Sequence, residues 1–183
     1  MFPHPPYAED QPLAHLILTT HVLHRGFQLG TGIGLLVGTA RALFFSSRSS
    51  SSLPKPVTAR STPTNTKLVT RLTQVLRPSA LGGLGGLALF SLLLPVHMWG
   101  KEIIEWQDRS WRLLENRGQV VVDWWSVGGM VLGVGVVALG LGARGRNLGK
   151  RERALRVLGG AGVGSLGGVL GLMGWRVLSG SKR

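Results

Sequence analysis

Gly26-Phe27-Gln28-Leu29-Gly30-Thr31-Gly32-Ile33-Gly34-Leu35-Leu36-Val37-Gly38-Thr39-Ala40-Arg41 carries no charge before its last residue and repeats glycine every fourth position. Continued through Phe45, the run reaches the roughly twenty residues that cross a bilayer. A spacing of four places Gly26, Gly30, Gly34 and Gly38 on one face of a helix. In a soluble helix each such glycine costs about 1 kcal/mol against alanine. In lipid, a row of them makes a groove into which a second backbone fits. The stretch therefore predicts a transmembrane helix, with residues 13–25 as its lead-in and Arg25 and Arg41 snorkelling toward the two interfaces.

Working outward, three more apolar stretches follow. The second span is expected over 78–100, with Pro78 suited to a helix start and Pro95 near its end. The third is expected over 124–143, with Trp124 and Trp125 as interfacial anchors. The fourth is expected over 157–176, where 19 uncharged residues lie between Arg156 and Arg176. Each repeats the small-residue spacing, through Gly82 and Gly86, through Gly129 and Gly133, and through Gly160, Gly164 and Gly168. The fold class is thus all-α, integral to a membrane, with four glycine-rich transmembrane helices. Two uses of the glycine grooves stay open: holding the four helices together, or docking a helix of another subunit.

The remaining segments are a tail (1–12), a Ser/Pro-rich basic loop (46–77), a charged segment (101–123), a basic loop (144–156) and a basic tail (177–183). Residues 101–123 interleave acids with Ile103, Ile104, Trp106, Trp111, Leu113 and Leu114, which reads as an amphipathic helix on the membrane surface or on a partner. Glu105–Arg109 and Asp108–Arg112 have the spacing of helical ion pairs. Asp123, at a span boundary, suits a cap or a salt bridge to a partner better than a proton relay.

Composition agrees only through its distribution. Hydrophobic residues make up 44% of the 183, an ordinary share, but charged residues are 16% and bunched between uncharged runs. The net charge of +13 would suggest nucleic acid in a soluble protein. Here the cations cluster at the ends of apolar stretches, so no nucleic-acid partner is expected. Cysteine is absent, which removes disulfides, thiolate chemistry and cysteine-held metals. The N-terminus, with acids and no arginine before Arg25, is expected to carry neither a secretory signal nor a cleavable mitochondrial presequence.

Loop charge orients the spans. Residues 41–77 hold seven cations and no acid, whereas 101–123 hold four cations and five acids. The positive-inside rule then puts the 46–77 and 144–156 loops in the cytoplasm or mitochondrial matrix and both termini on the other side.

No catalytic, cofactor-binding or metal site is expected. Gly162-Val163-Gly164-Ser165-Leu166-Gly167 matches the dinucleotide fingerprint, but inside an apolar helix rather than at a strand-to-helix turn. Gly145 to Lys150 has the wrong glycine spacing for a phosphate loop, and Arg151 stands where Ser or Thr would hold magnesium. His21 and His24 share a helix face without nearby acids to complete a metal site. Partner or lipid contacts are expected at Trp106, Trp111, Arg144, Arg146, Arg151 and Arg153. The basic loops suit a bound phospholipid such as cardiolipin.

Four glycine-striped spans, termini on the less basic side and no cleavable presequence together resemble the Tim17/Tim22/Tim23 superfamily of the mitochondrial inner membrane, including its respiratory complex I accessory branch. The Gly26–Gly38 stripe closing on Ala40-Arg41 looks like that family's first span. The run from Lys101 to Gln119, followed by Asp123-Trp124, also resembles a fungal family of small membrane proteins. The resemblance implies a multi-pass protein of the mitochondrial inner membrane with termini in the intermembrane space. It implies a non-enzymatic structural accessory subunit acting in assembly or stability, most of all of respiratory complex I, with membrane subunits and the lipid bilayer as partners and no small-molecule substrate. The alternative it implies is a component of a protein-import translocase. The serine-rich loop and long charged segment depart from the translocase pattern and favour the accessory role.

Overall fold

The structure, a computed structural model, describes residues 2–48, 63–144 and 148–180, and among them every regular element is helical. A single 3₁₀ turn, Ala8–Asp10, precedes α1 (Ala14–Arg48), α2 (Pro63–His97), α3 (Ile103–Glu115), α4 (Arg117–Arg144) and α5 (Lys150–Leu178). Four of these helices, all but α3, are long and apolar enough to cross a membrane, so the chain is a multi-pass membrane protein. At 35 residues each, α1 and α2 run about 52 Å and outreach a hydrocarbon core of about 30 Å.

Several boundaries differ from the sequence reading. The lead-in 14–25 is continuous with the first span. Pro78 lies inside α2, which begins fifteen residues earlier at Pro63. A proline within a helix forfeits one backbone bond, which membrane helices tolerate because neighbours satisfy the freed carbonyl. Residues 150–156 extend α5, and α4 begins at Arg117, because charged ends can project beyond the bilayer as helix. The Ser-rich residues 49–62, Arg146 and the last three residues of the basic tail lie outside the described residues.

The bundle is two antiparallel hairpins. Along α1 and α2, a Cβ placed on Gly30 would strike the Gly82 carbonyl, and one on Gly82 would strike the Gly30 carbonyl. Gly86 meets the Gly26 carbonyl in the same way, and Gly34 meets that of Pro78. Each step of four down α1 is matched by a step of four up α2, as antiparallel helices at backbone contact require. Along α4 and α5 the same device recurs: Gly129 against Gly164, Gly133 against Gly160, and Gly168 against the Trp125 carbonyl. At this separation Cα–H groups point at carbonyl oxygens across the interface, contacts of about 0.5–1 kcal/mol each. All eleven glycines singled out in the sequence lie in these two seams; Gly26 itself faces the Phe90 ring and Gly38 the Pro78 ring.

α5 joins the hairpins. Gly159 abuts the Leu76 carbonyl of α2, and Gly162 abuts Thr31 of α1. Thr31 is fully buried where α1, α2 and α5 meet, and its hydroxyl makes no conventional hydrogen bond. The backbones of Gly83 and Gly162 close over that oxygen, leaving it the weaker Cα–H contacts.

α3 lies across the end of the bundle, beside the start of α1 and the N-terminal tail. Gly100, with φ +69°, supplies the left-handed turn out of α2 that a residue with a Cβ would resist. The Glu102 N–H donates to the Glu105 carboxylate at 3.2 Å, closing the first turn of α3. Glu105 pairs with Lys101 at 2.9 Å, not with Arg109, and this hydrogen bond holds its carboxyl below the usual glutamate range. Asp108–Arg112 pair at 2.9 Å.

Candidate functional site: a polar cluster inside the bundle

Asp123 is neither a helix cap nor at the boundary of its helix. It lies two turns into α4, which starts at Arg117, facing α1. The Arg25 guanidinium donates to Asp123 Oδ1 at 2.5 Å, and His21 Nδ1 lies 3.2 Å from Oδ2. Gln119, one turn back on α4, donates to Oδ1 at 3.0 Å. Arg25 therefore turns inward to a carboxylate rather than snorkelling outward. An unpaired charge at this depth would be expensive, and the pair removes that cost.

From Arg25 the polar contacts run deeper. Its Nη1 donates to Gln28 Oε1 at 2.6 Å. The Gln28 amide nitrogen donates to Ser126 Oγ of α4 at 2.6 Å and to Ser165 Oγ of α5 at 2.8 Å. The two hydroxyls lie 2.7 Å apart, and His24 Nε2 lies 2.7 Å from Ser126 Oγ. Ser126 and Ser165 are wholly buried and Gln28 nearly so. Three helices thus meet in one hydrogen-bonded cluster that begins with a salt bridge and ends with two serines.

Its chemistry is cohesive. Ser126 beside His24 has the reach of a nucleophile–base pair, but the Asp123 carboxylate sits on Arg25 and His21, and Ser126 has no exposed surface. None of the cluster's buried side-chain polar atoms lacks a hydrogen-bond partner. Membrane hydrogen bonds of this kind contribute about 0.6 kcal/mol on average and up to about 1.7. Among the described residues no group of three or more His, Asp or Glu side chains could hold a metal ion.

The cluster is the main tie between α4 and α1. Among the described residues, the α4 backbone comes close only to α5 and α3. Beyond the cluster α4 stands away from α2, and an apolar groove of about 1020 Å³ opens over α5, from Trp124 to Val137 on one wall and Leu76 on the other. Gly128 and Gly135 on α4, Gly167 and Gly174 on α5 and Gly85 on α2 have no atom within 4 Å of where a Cβ would stand.

The expected contact residues divide. Trp111 donates its indole N–H to the Pro5 carbonyl at 2.9 Å and packs at a tilt against His4, while Trp106 packs at a tilt against His15 with ring centres 4.2 Å apart. Both are occupied by the chain's own N-terminal segment. Gln107 donates to the Glu9 carbonyl, and His4 meets Glu115 at 2.7 Å, so the tail is strapped across α3. Arg144 ends α4; Arg151 and Arg153 are exposed in the first turn of α5, with Arg153 Nε donating to the Leu148 carbonyl at 2.8 Å. The fingerprint glycines 162, 164 and 167 are mid-helix in α5. Sequence reasoning missed Gln28, Ser126 and Ser165; the available signal was a lone polar residue in an uncharged span, which lipid penalises unless it finds a partner. Comparison with protein families, curated proteins and solved structures finds no match to this chain.

Proposed function

We propose that the protein is a non-catalytic structural accessory subunit of a larger complex in the mitochondrial inner membrane, respiratory complex I (NADH:ubiquinone oxidoreductase) being the favoured one. The observation that carries this is the one-sided state of α4. Only 6% of its apolar window is buried within the chain, yet its glycines are split between a zipped face and an open one. Gly128 lines the apolar groove, and Gly135 lies two turns further along the same face of α4; each has open space where a Cβ would stand, room for a neighbouring helix to come close. Lipid alone does not call for glycine there. The charge asymmetry of the loops and the resemblance to the Tim17-type superfamily support the mitochondrial setting, with the termini in the intermembrane space. An import translocase would need polar side chains along an open path, whereas the polar groups of the Arg25–Ser165 cluster are spent on one another.

The test is co-migration. Mitochondrial membranes opened with a mild detergent and run on a native gel should carry the protein in the band with NADH dehydrogenase activity. Migration with import machinery would move the assignment to a translocase. Migration as a free species of its own mass would overturn both.

A further inference from the structure

At the end of the bundle opposite α3, the last turns of α1, the middle of α2 and the first turns of α5 enclose a second cavity of about 670 Å³. Its rim carries Arg41 of α1, Arg77 of α2 and Arg156 of α5, one from each helix. Among the described residues the only acid lining it is Glu152, which pairs with Arg156 at 3.0 Å. Arg41 and Arg77 are exposed, and among the described residues neither has a carboxylate partner. The rest of the lining is Gly38, Ala42, Pro78 and Leu81, all apolar, with the polar Gln74.

We infer that this cavity binds the headgroup of an anionic phospholipid through its phosphodiester. Three arginines from separate helices line this one cavity, and a guanidinium matches the planar, bidentate geometry of phosphate oxygens. Basic pockets between transmembrane helices on the positively charged side are suited to such headgroups. The apolar residues that line the same cavity give the acyl chains a surface to follow, which a free anion would not need. The sequence reading assigns lipid contact to the basic loops 41–77 and 144–156 as a whole; the cavity singles out Arg41, Arg77 and Arg156 among them, and it does not depend on which complex, if any, the protein joins. Arg156 is partly neutralised by Glu152, so Arg41 and Arg77 supply most of the attraction.

The test is native mass spectrometry of the full chain in neutral detergent, titrated separately with cardiolipin, phosphatidylcholine and inorganic phosphate. One cardiolipin should be retained per chain, phosphatidylcholine should not compete, and millimolar inorganic phosphate should not displace the lipid. The double variant R41Q/R77Q should weaken retention by at least about tenfold, while R151Q, outside the cavity, should leave it unchanged. Glu152→Gln frees Arg156 and should tighten binding by about threefold; a variant that merely misfolds cannot do that. Equal retention of phosphatidylcholine, an unaltered R41Q/R77Q, a loss in R151Q as large as in the double variant, or weakening by E152Q would each overturn the inference. Displacement by inorganic phosphate would make the cavity a free-anion site and overturn the lipid assignment.

Discussion

Gly30→Ala adds one methyl group at the tightest point between α1 and α2. Its carbon would fall on the Gly82 carbonyl oxygen, 2.8 Å from the Gly82 carbonyl carbon and 2.9 Å from the Gly86 nitrogen. These are backbone atoms of a rigid helix and cannot rotate aside. Ordinary contact starts near 3.4 Å, so the helices must part by up to about 1 Å, and a gap of that size forfeits a quarter to a half of each dispersion contact. The reciprocal Cα–H contacts at Gly30–Gly82 and Gly26–Gly86 weaken as well, at about 0.5–1 kcal/mol apiece. Together these give an expected loss of about 1–3 kcal/mol, the usual range for overpacking, or roughly 5- to 150-fold in the unfolding equilibrium. The assay is reversible unfolding in mixed micelles, with Gly85→Ala as its partner. Gly85 sits on the same helix pair but has open space around it. That substitution should change stability by less than about 0.5 kcal/mol. Equal effects at Gly30 and Gly85 would refute a seam held at backbone distance.

Arg25→Leu should strand the Asp123 carboxylate. Both side chains keep about a third of their surface, so the expected loss is about 1–3 kcal/mol, below the range for a fully buried pair. Arg25→Leu/Asp123→Leu should cost less than the two single changes added together, measured as a double-mutant cycle. Because the chain lacks cysteine, single cysteines at the exposed positions Asp10, Ser179 and Lys150 report sidedness cleanly. In sealed vesicles an impermeant maleimide should treat positions 10 and 179 alike and 150 oppositely; labelling all three from one side would refute the four-span topology. Glu105 has a depressed folded-state pKa, so its contribution to α3 is fully present above the ordinary glutamate value of about 4.3. It is lost as pH falls through the lowered folded value, and hydrogen exchange at the first amides of α3 should speed up there. Lys101→Ala should move that onset to higher pH.

The four spans were legible because lipid leaves a coarse mark: about twenty residues without charge, bounded by arginine and tryptophan. The glycine faces were legible because a period of four survives any choice of partner. Which glycine meets which was not, since Gly30 could slide a turn along α2 and keep the same pattern. Pro78 misled because proline is common at helix starts, and nothing in residues 63–77 marks them as helical against their serine- and proline-rich surroundings. The polar cluster was hardest. Gln28 and Ser165 are 137 positions apart and each looks incidental alone. Arg25 reads equally well as a snorkelling anchor until a carboxylate on another helix is placed beside it.

These two kinds of contact do different jobs. A glycine seam relies on short-range contact and tolerates slippage by whole turns, so it binds α1 to α2 and α4 to α5 but says little about how the two hairpins meet. Directional hydrogen bonds supply what the seam lacks. Gln28 can reach both Ser126 and Ser165 in one register only, and Arg25 can reach Asp123 only when α4 stands at matching height. The cluster therefore fixes the hairpins at one end of the bundle, and among the described residues nothing comparable ties α4 to α2 at the other. An apolar groove there follows from where the polar residues were placed. A helix seated in that groove would meet a wall already held in position by Asp123 and Ser126. Loss of the cluster should then weaken the association of any such partner without touching a single residue that contacts it.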